Sequence, residues 1–268
     1  MNTETTAGVI GLGIMGGAFA RHLADAGIRT LGYDVLPGRV DALEANGGVR
    51  RTSAREVAAG AEVVITSLPH AAALEESLFG ERGVISAAHP NLLLIETSTL
   101  PLEVKEKARS RCAAAGVGML DAPVSGTGAQ AQRKDICVLA SGELADFERA
   151  RGMLSHIARS VRYVGAFGAG SKIKYIANLL VAVHTVAAAE ALVLGEKAGL
   201  DLASLLDVLL DSAATSRMLE VRGPSMIDGS YEAPMMKVEV FQKDIEIISG
   251  FARQSASPFP YSVPQSPS

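Results

Sequence analysis

At 268 residues, a net charge of −4 and a pI near 5.8, the chain is long enough for two domains and lacks the basic excess that would mark a nucleic-acid or anionic-membrane partner. Its two cysteines, Cys112 and Cys137, lack metal-ligand spacing and are too few for a disulfide framework, so both are expected as buried free thiols, and no metal site is expected. The N-terminal MNTETTAG has no basic segment followed by an apolar run, so export is not expected and the chain is read as cytoplasmic.

A short apolar strand over residues 8–10 runs into GLGIMGGAFARHLADAG. Gly11, Gly13 and Gly16 fit a dinucleotide fingerprint: the first permits a tight turn, the second lets a pyrophosphate approach the backbone, and the third lets helix and strand pack closely. The phosphates would sit at the positive end of the helix that follows. Phe19, Leu23 and Ala26 give that helix an apolar stripe, Gly27 stops it, and residues 30–33 read as a second strand ending on Asp34. An acid at this distance accepts hydrogen bonds from both ribose hydroxyls of NAD and repels the phosphate of NADP. NAD is therefore the preferred cofactor, with NADP the second choice, since Asp34 could instead cap the following loop and Arg39 could hold a phosphate.

Strand and helix keep alternating. Ser53 and Glu56 fit a capping box, residues 63–66 a buried strand, and 71–78 a helix. A strand over 92–95 ends in ETSTLP, placing Thr97, Ser98 and Thr99 at a carboxyl end, where open parallel sheets bind ligands. Thr99 equally suits the cap of a helix over 101–115. After Met119 the chain reads DAPVSGTGAQAQRKDICVLASGE. Its small residues offer hydroxyls and approachable amides for a carboxylate or other anion, although the same composition serves an ordinary turn. Residues 136–140 and 161–164 read as strands around a helix over 145–157, and the sheet is expected to end there.

The chain then turns helical. Residues 171–198 contain no proline and one glycine, Gly195, so one long helix closed by Gly199 is expected. Its apolar residues lie on nearly every face, which fits a membrane span or the buried spine of a helical domain. Asn178, His184 and Glu190 argue against the span. Lys174 and Asn178, four residues apart, share a face. Helices are expected over 202–210, 215–226 and 235–252, separated by Gly223-Pro224 and Asp228-Gly229, and SASPFPYSVPQSPS excludes a continuous helix at the end.

Four ordered stretches, GLGIMG at Gly11 to Gly16, ETSTLP at Glu96 to Pro101, DAPVSG at Asp121 to Gly126, and GAG followed by Lys174 and Asn178, resemble the β-hydroxyacid dehydrogenases, the family of 3-hydroxyisobutyrate dehydrogenase and tartronate semialdehyde reductase. The resemblance runs from about Val9 to Ala256 and includes a later pair, Lys243 and Asp244. It implies an α/β fold: a doubly wound dinucleotide-binding domain over 1–166, an all-helical substrate and dimerisation domain over 167–257, and an irregular tail over 258–268 where the family continues into another helix. The implied activity is hydride transfer between NAD(P) and a small hydroxyacid or its semialdehyde, of the 3-hydroxyisobutyrate, tartronate semialdehyde or threonate type. Lys174 would be the acid/base, with Asn178 its partner on the helix face. Ser125, Gly126 and Thr127 would hold the substrate carboxylate, and Lys243 would help close the site. Cofactor contacts would come from Gly11, Leu12, Gly13, Ile14, Met15, Gly16, Asp34, Leu68, Pro69, Thr99 and Lys243. A homodimer or higher homo-oligomer is implied. Thr127, Gln130 and Lys134 replace glycines common in the family, and Met236 replaces a common aromatic residue. Two other readings are a catalytically silent dinucleotide-binding module and an NADPH-dependent imine or keto-acid reductase.

Overall fold

The computed structural model describes residues 6–231 and 238–257. The chain divides into two compact units, Met1–Lys174 and Tyr175–Ser268.

In the first unit, Thr6–Ile10 (β1), Ile14–Asp25 (α1), Arg29–Tyr33 (β2), Pro37–Ala45 (α2), Val49–Arg50 (β3), Ala54–Gly60 (α3), Val63–Thr66 (β4) and Ala71–Phe79 (α4) alternate strand and helix. Leu93–Glu96 (β5), Leu102–Ala114 (α5) and Gly118–Asp121 (β6) complete a six-stranded parallel sheet of order β3-β2-β1-β4-β5-β6, the doubly wound arrangement expected from the alternation. Because helices cover both faces, β4 and β5 are buried at every position, and their side chains divide by the two-residue period. Val63, Ile65, Leu93 and Ile95 join one core with Phe19 and Leu23 of α1, whereas Val64 and Leu94 join another with Leu74, Leu78 and Cys112. Cys112 is buried as expected, while Cys137 is partly exposed because it begins a strand near the rim.

The chain does not simply extend this sheet. Pro123 cannot donate to a ladder, and the strand after it, Val124–Ser125 (β7), runs antiparallel to Cys137–Ala140 (β8). With Gly128–Gln132 (α6), Leu144–Ile157 (α7) and Ser160–Tyr163 (β9) this makes a second, three-stranded sheet of order β7-β8-β9. Two further local expectations differ. Pro101, rather than Thr99, occupies the N-cap position of α5, with no side-chain cap bond of its own. Ser53 caps α3, but Glu56 turns to the amide and hydroxyl of Thr52 rather than closing the box.

The helical region comprises Ala169–Lys197 (α8), Leu202–Asp211 (α9), Arg217–Asp228 (α10) and Val238–Gln254 (α11). The helical pattern begins at about 167, yet compactness breaks between Lys174 and Tyr175, because the first turn of α8 is hydrogen-bonded into the sheet unit. Gly199 stops α8 in a left-handed conformation. α8 is long and apolar enough to cross a membrane by length and composition. As a buried spine it is only partly that: Tyr175, Ala188 and Leu192 are buried, but Ile176, Leu180, Val186, Val193 and Leu194 are each at least half exposed. Gly223-Pro224 lies inside α10 instead of ending a helix, since a Cβ at Gly223 would come 2.8 Å from Leu206 Cδ1, and the glycine serves close packing of α9 and α10. Met236 and the 258–268 segment lie outside the described residues.

Candidate active site

Gly11 leaves β1 with φ of 85°, and a Cβ there would lie 2.3 Å from Ser67 O at the end of β4. At Gly16 it would lie 1.9 Å from Gly11 O, so only glycine lets α1 pack on the turn. Gly13, the N-cap of α1, differs: an added Cβ would meet only the Arg39 guanidinium, 3.7 Å away. No side chain caps α1 and no acid sits in its first turn. Its N–H groups, including those of the Ile14-Met15-Gly16 turn, present a positively polarised position suited to a pyrophosphate. The strand order reverses between β1 and β4, where doubly wound sheets bind nucleotides.

Asp34, just past β2, is pinned to this turn. Its Oδ2 accepts from Leu12 N at 2.7 Å and from Arg39 Nη1 at 3.1 Å, and its Oδ1 accepts from Leu36 N at 2.8 Å. The loop-capping contact is thus present, and about one of the carboxylate's roughly four acceptor positions remains, besides the one held by the half-exposed Arg39. Across the turn, Leu68 N donates to Ser98 Oγ at 2.8 Å and Leu68 Cδ2 would lie 3.0 Å from a Cβ at Gly11. Pro69 and Thr99 follow Leu68 and Ser98 in these two loops.

The loop after β7 sits against the fingerprint, since a Cβ at Gly128 would lie 2.4 Å from Ile14 Cγ2. Ser125 ends β7 partly exposed, and Gly126 has φ of 144° with Ile136 Cγ2 2.6 Å from where its Cβ would be. Thr127 forms a capping box for α6: its Oγ1 accepts from Gln130 N at 3.3 Å and its own N donates to Gln130 Oε1 at 2.9 Å. Lys134 adopts φ of 59°, a conformation glycine takes without strain. Of the three replaced glycine positions, two are therefore used to build α6 and one adopts a conformation suited to glycine.

Lys105 of α5 is wholly buried, with Nζ 2.6 Å from Glu96 Oε2 and 2.8 Å from Asp121 Oδ1. Burial alone would push its pKa down; the carboxylates of Glu96 and Asp121 reverse that and hold it above its ordinary value. Asp121 Oδ1 also accepts from Ser171 Oγ at 2.7 Å, and its Oδ2 from Ser171 N at 2.8 Å and Ser141 Oγ at 3.1 Å. Ser141 Oγ in turn accepts from Gly170 N at 3.0 Å. Sequence reasoning assigns no role to Lys105, Ser141 or Ser171. LEVKEKARSR reads as a solvated helix, and nothing in its pattern marks one lysine as enclosed.

Lys174, three residues past Ser171, is buried, as is Asn178 one turn further along α8. In the helical unit, Asn178 Nδ2 donates to Asp244 Oδ2 at 2.9 Å, and Lys243 Nζ lies 3.4 Å from Asp244 Oδ1. The sequence reading pairs Asp244 with Lys243 but gives it no role of its own. Asp244 orients the Asn178 amide so that the carbonyl oxygen is the end left over.

Comparison with known proteins identifies the family. Residues 6–165 match the NAD binding domain of 6-phosphogluconate dehydrogenase, and residues 168–263 match the NAD-binding domain of NADP-dependent 3-hydroxyisobutyrate dehydrogenase. L-threonate dehydrogenase of Cupriavidus necator is 39% identical over 95% of this chain and 86% of its own length. The crystal structure of 3-hydroxyisobutyrate dehydrogenase from Salmonella typhimurium is 34% identical, with a TM-score of 0.84 over 96% of this chain and 90% of that one. The Mycobacterium tuberculosis 3-hydroxyisobutyrate dehydrogenase solved with L-serine is 29% identical, with a TM-score of 0.87 over 96% and 90%. A fold with a nucleotide crevice at the β1/β4 reversal and a buried lysine one turn into a long helix, matched along its whole described length, belongs to the β-hydroxyacid dehydrogenase family. The chain is accordingly an NAD(P)-dependent oxidoreductase of hydroxyacids. The imine reductase of Streptomyces aurantiacus, at 22% identity and a TM-score of 0.69, shares the fold alone, so the imine-reductase alternative is the less supported one.

Proposed function

We propose that this enzyme interconverts a short, multiply hydroxylated acid of the threonate type and its carbonyl form, with Lys174 as the acid/base. The observation that carries the reading is the burial of Lys174 on a helical turn hydrogen-bonded to the carboxyl end of the sheet, in the same compact unit as the dinucleotide turn. The substrate class is supported by relatives named L-threonate dehydrogenase at 39% and 33% identity.

A bound nicotinamide accepts the hydride in oxidation and supplies it in reduction. Neutral Lys174 takes the hydroxyl proton at Nζ as the C–H bond is lost, and as the ammonium returns a proton to the carbonyl oxygen in the reverse direction. The Asn178 carbonyl, set by Asp244, is one turn from Lys174 and suits a hydrogen bond to the lysine or to a substrate hydroxyl. The Ser125 hydroxyl and Gly126 amide suit the substrate carboxylate. Thr127 contributes through its hydroxyl hydrogen, because its amide is engaged by Gln130. Lys243, ion-paired with the Asp244 that holds Asn178, is a further candidate cation for the substrate. Asp34 favours NAD over NADP, and the exposed apolar side of α8 is the surface of a homodimer.

The test follows nicotinamide absorbance with L-threonate, 3-hydroxyisobutyrate and glycerate, on the parent and on Lys174→Ala. Loss of a general acid/base commonly costs roughly 10² to 10⁴ in rate, so turnover should fall by about that factor with NAD affinity by calorimetry unchanged. Parental turnover in Lys174→Ala would remove Lys174 from the chemistry. A parent that binds NAD but oxidises no hydroxyacid would favour the silent dinucleotide-binding module.

A further inference from the structure

We propose that Asp121, held in place by Lys105, is a positioning residue for Lys174 that acts through the first turn of α8. This rests on the reading of Lys174 as the acid/base. The first N–H groups of any helix lack intrahelical partners and are commonly satisfied by a residue immediately before it. α8 is satisfied instead from across the fold: Gly170 N by Ser141 Oγ, 29 residues earlier, and Ser171 N by the Asp121 carboxylate, 50 residues earlier.

Charge points the same way. Lys105, Glu96 and Asp121 are all fully enclosed, and one cation between two carboxylates leaves an unbalanced negative charge. The second carboxylate is matched by the positively polarised start of α8 and by the hydroxyls of Ser171 and Ser141. Lys105 and the start of α8 thus share the Asp121 carboxylate, and that carboxylate seats the helix.

The seat has little slack. A Cβ at Gly170 would lie 2.2 Å from Leu139 O and 3.1 Å from Asp121 O, and one at Gly168 would lie 2.8 Å from Leu102 Cδ1. From Ser171 to Lys174 the helix rises only about 4.5 Å, so a displacement at the seat reaches the lysine undiminished. Asp121 is also four residues before Ser125, with only Ala122, Pro123 and Val124 between the seat and the first residue of the carboxylate loop. One side chain therefore fixes the acid/base helix and begins the loop read as holding the substrate.

The experiment compares Asp121→Asn, Ser171→Ala, Ser171→Thr and Lys174→Ala in the full chain. Asp121→Asn keeps the volume and leaves Lys105 with Glu96 as a neutral pair; Ser171→Ala removes a single hydrogen bond and is the milder probe if the first variant folds poorly. Turnover, KM, NAD affinity by calorimetry and hydrogen exchange over residues 169–178 are measured well below each melting temperature. A misplacement of about 1 Å costs up to roughly 10² in rate. Turnover in Asp121→Asn should fall toward that limit, and less in Ser171→Ala, with NAD affinity unchanged, faster exchange in the first turn of α8, and recovery in Ser171→Thr. A merely structural role would lower melting temperature while folded enzyme kept the parental turnover. Parental turnover in folded Asp121→Asn or Ser171→Ala, alongside an impaired Lys174→Ala, overturns the positioning role alone. Parental turnover in Lys174→Ala overturns the acid/base reading and this proposal with it.

Discussion

Asp34 is the residue on which the proposed choice between NAD and NADP rests. Its bonds to Leu12 N and Leu36 N fix the turn and the following loop, and Arg39 covers it from the solvent side. An NAD ribose needs only the remaining acceptor capacity and the place of the half-exposed Arg39, whereas the phosphate of NADP would face the carboxylate. Hydrogen bonds to charged groups are worth about 1.5–3 kcal/mol, so NAD should bind at least about tenfold tighter than NADP. In Asp34→Ala the gap should close from both sides, because Arg39 is released for the phosphate. Calorimetric titration of both cofactors decides this, and equal affinities in the parent would refute it. The residue types themselves announce this part of the site. Gly11 and Gly16 are demanded by sterics that no other side chain satisfies, and an acid at the end of the second strand is visible in the sequence.

At the scale of elements, legibility follows pattern strength. β4 and β5 are continuous apolar runs and were readable to within a residue, as were α4 and α7, while α8 starts two residues before the stretch read for it. α2 buries only Val40 and Leu43, and β3 has two residues, so neither carries a usable period. The second sheet was hidden because β7 is two residues long and its pairing depends on a reversal at Pro123 rather than on hydrophobicity. α6 was hidden for a related reason: its five residues are fixed by the Thr127–Gln130 box and by α1. There, His22 Nε2 lies 2.8 Å from Ala131 O, and burial lowers the imidazole's pKa below its usual 6.5. Below that value the unfolded chain takes up a proton that the folded chain resists. The contribution of neutral His22 is therefore complete above pH 6.5 and is lost as pH falls through the depressed folded value. Urea unfolding at about pH 7.5 and about pH 5.5 should show a smaller acid-side loss in His22→Gln than in the parent. An identical loss in both would place the acid sensitivity elsewhere.

For the whole molecule, the outer side of α8 sets the expectation. Leu180, Val186, Val193 and Leu194 line up at helical spacing with half or more of their surface exposed. Contiguous apolar surface of that kind marks an interaction face more often than a solvated one. A second copy of the chain is the proposed occupant, so light scattering should find dimers or larger assemblies, and Val193→Asp with Leu194→Asp should shift them toward monomer. A parent that is monomeric at assay concentrations would contradict the homodimer.

The seating of α8 also bears on how such a protein can be taken apart or recombined. Two-domain enzymes are usually divided at a linker, and the sequence offers one near residue 167. Cutting there would strip Asp121 of both Ser171 bonds and leave its carboxylate with Lys105 and the Ser141 hydroxyl alone. The dinucleotide-binding half therefore includes the opening of the helix that follows it. Lineages exchanging helical domains would have to exchange Asp121, Ser141 and the first turn of α8 as one inherited block.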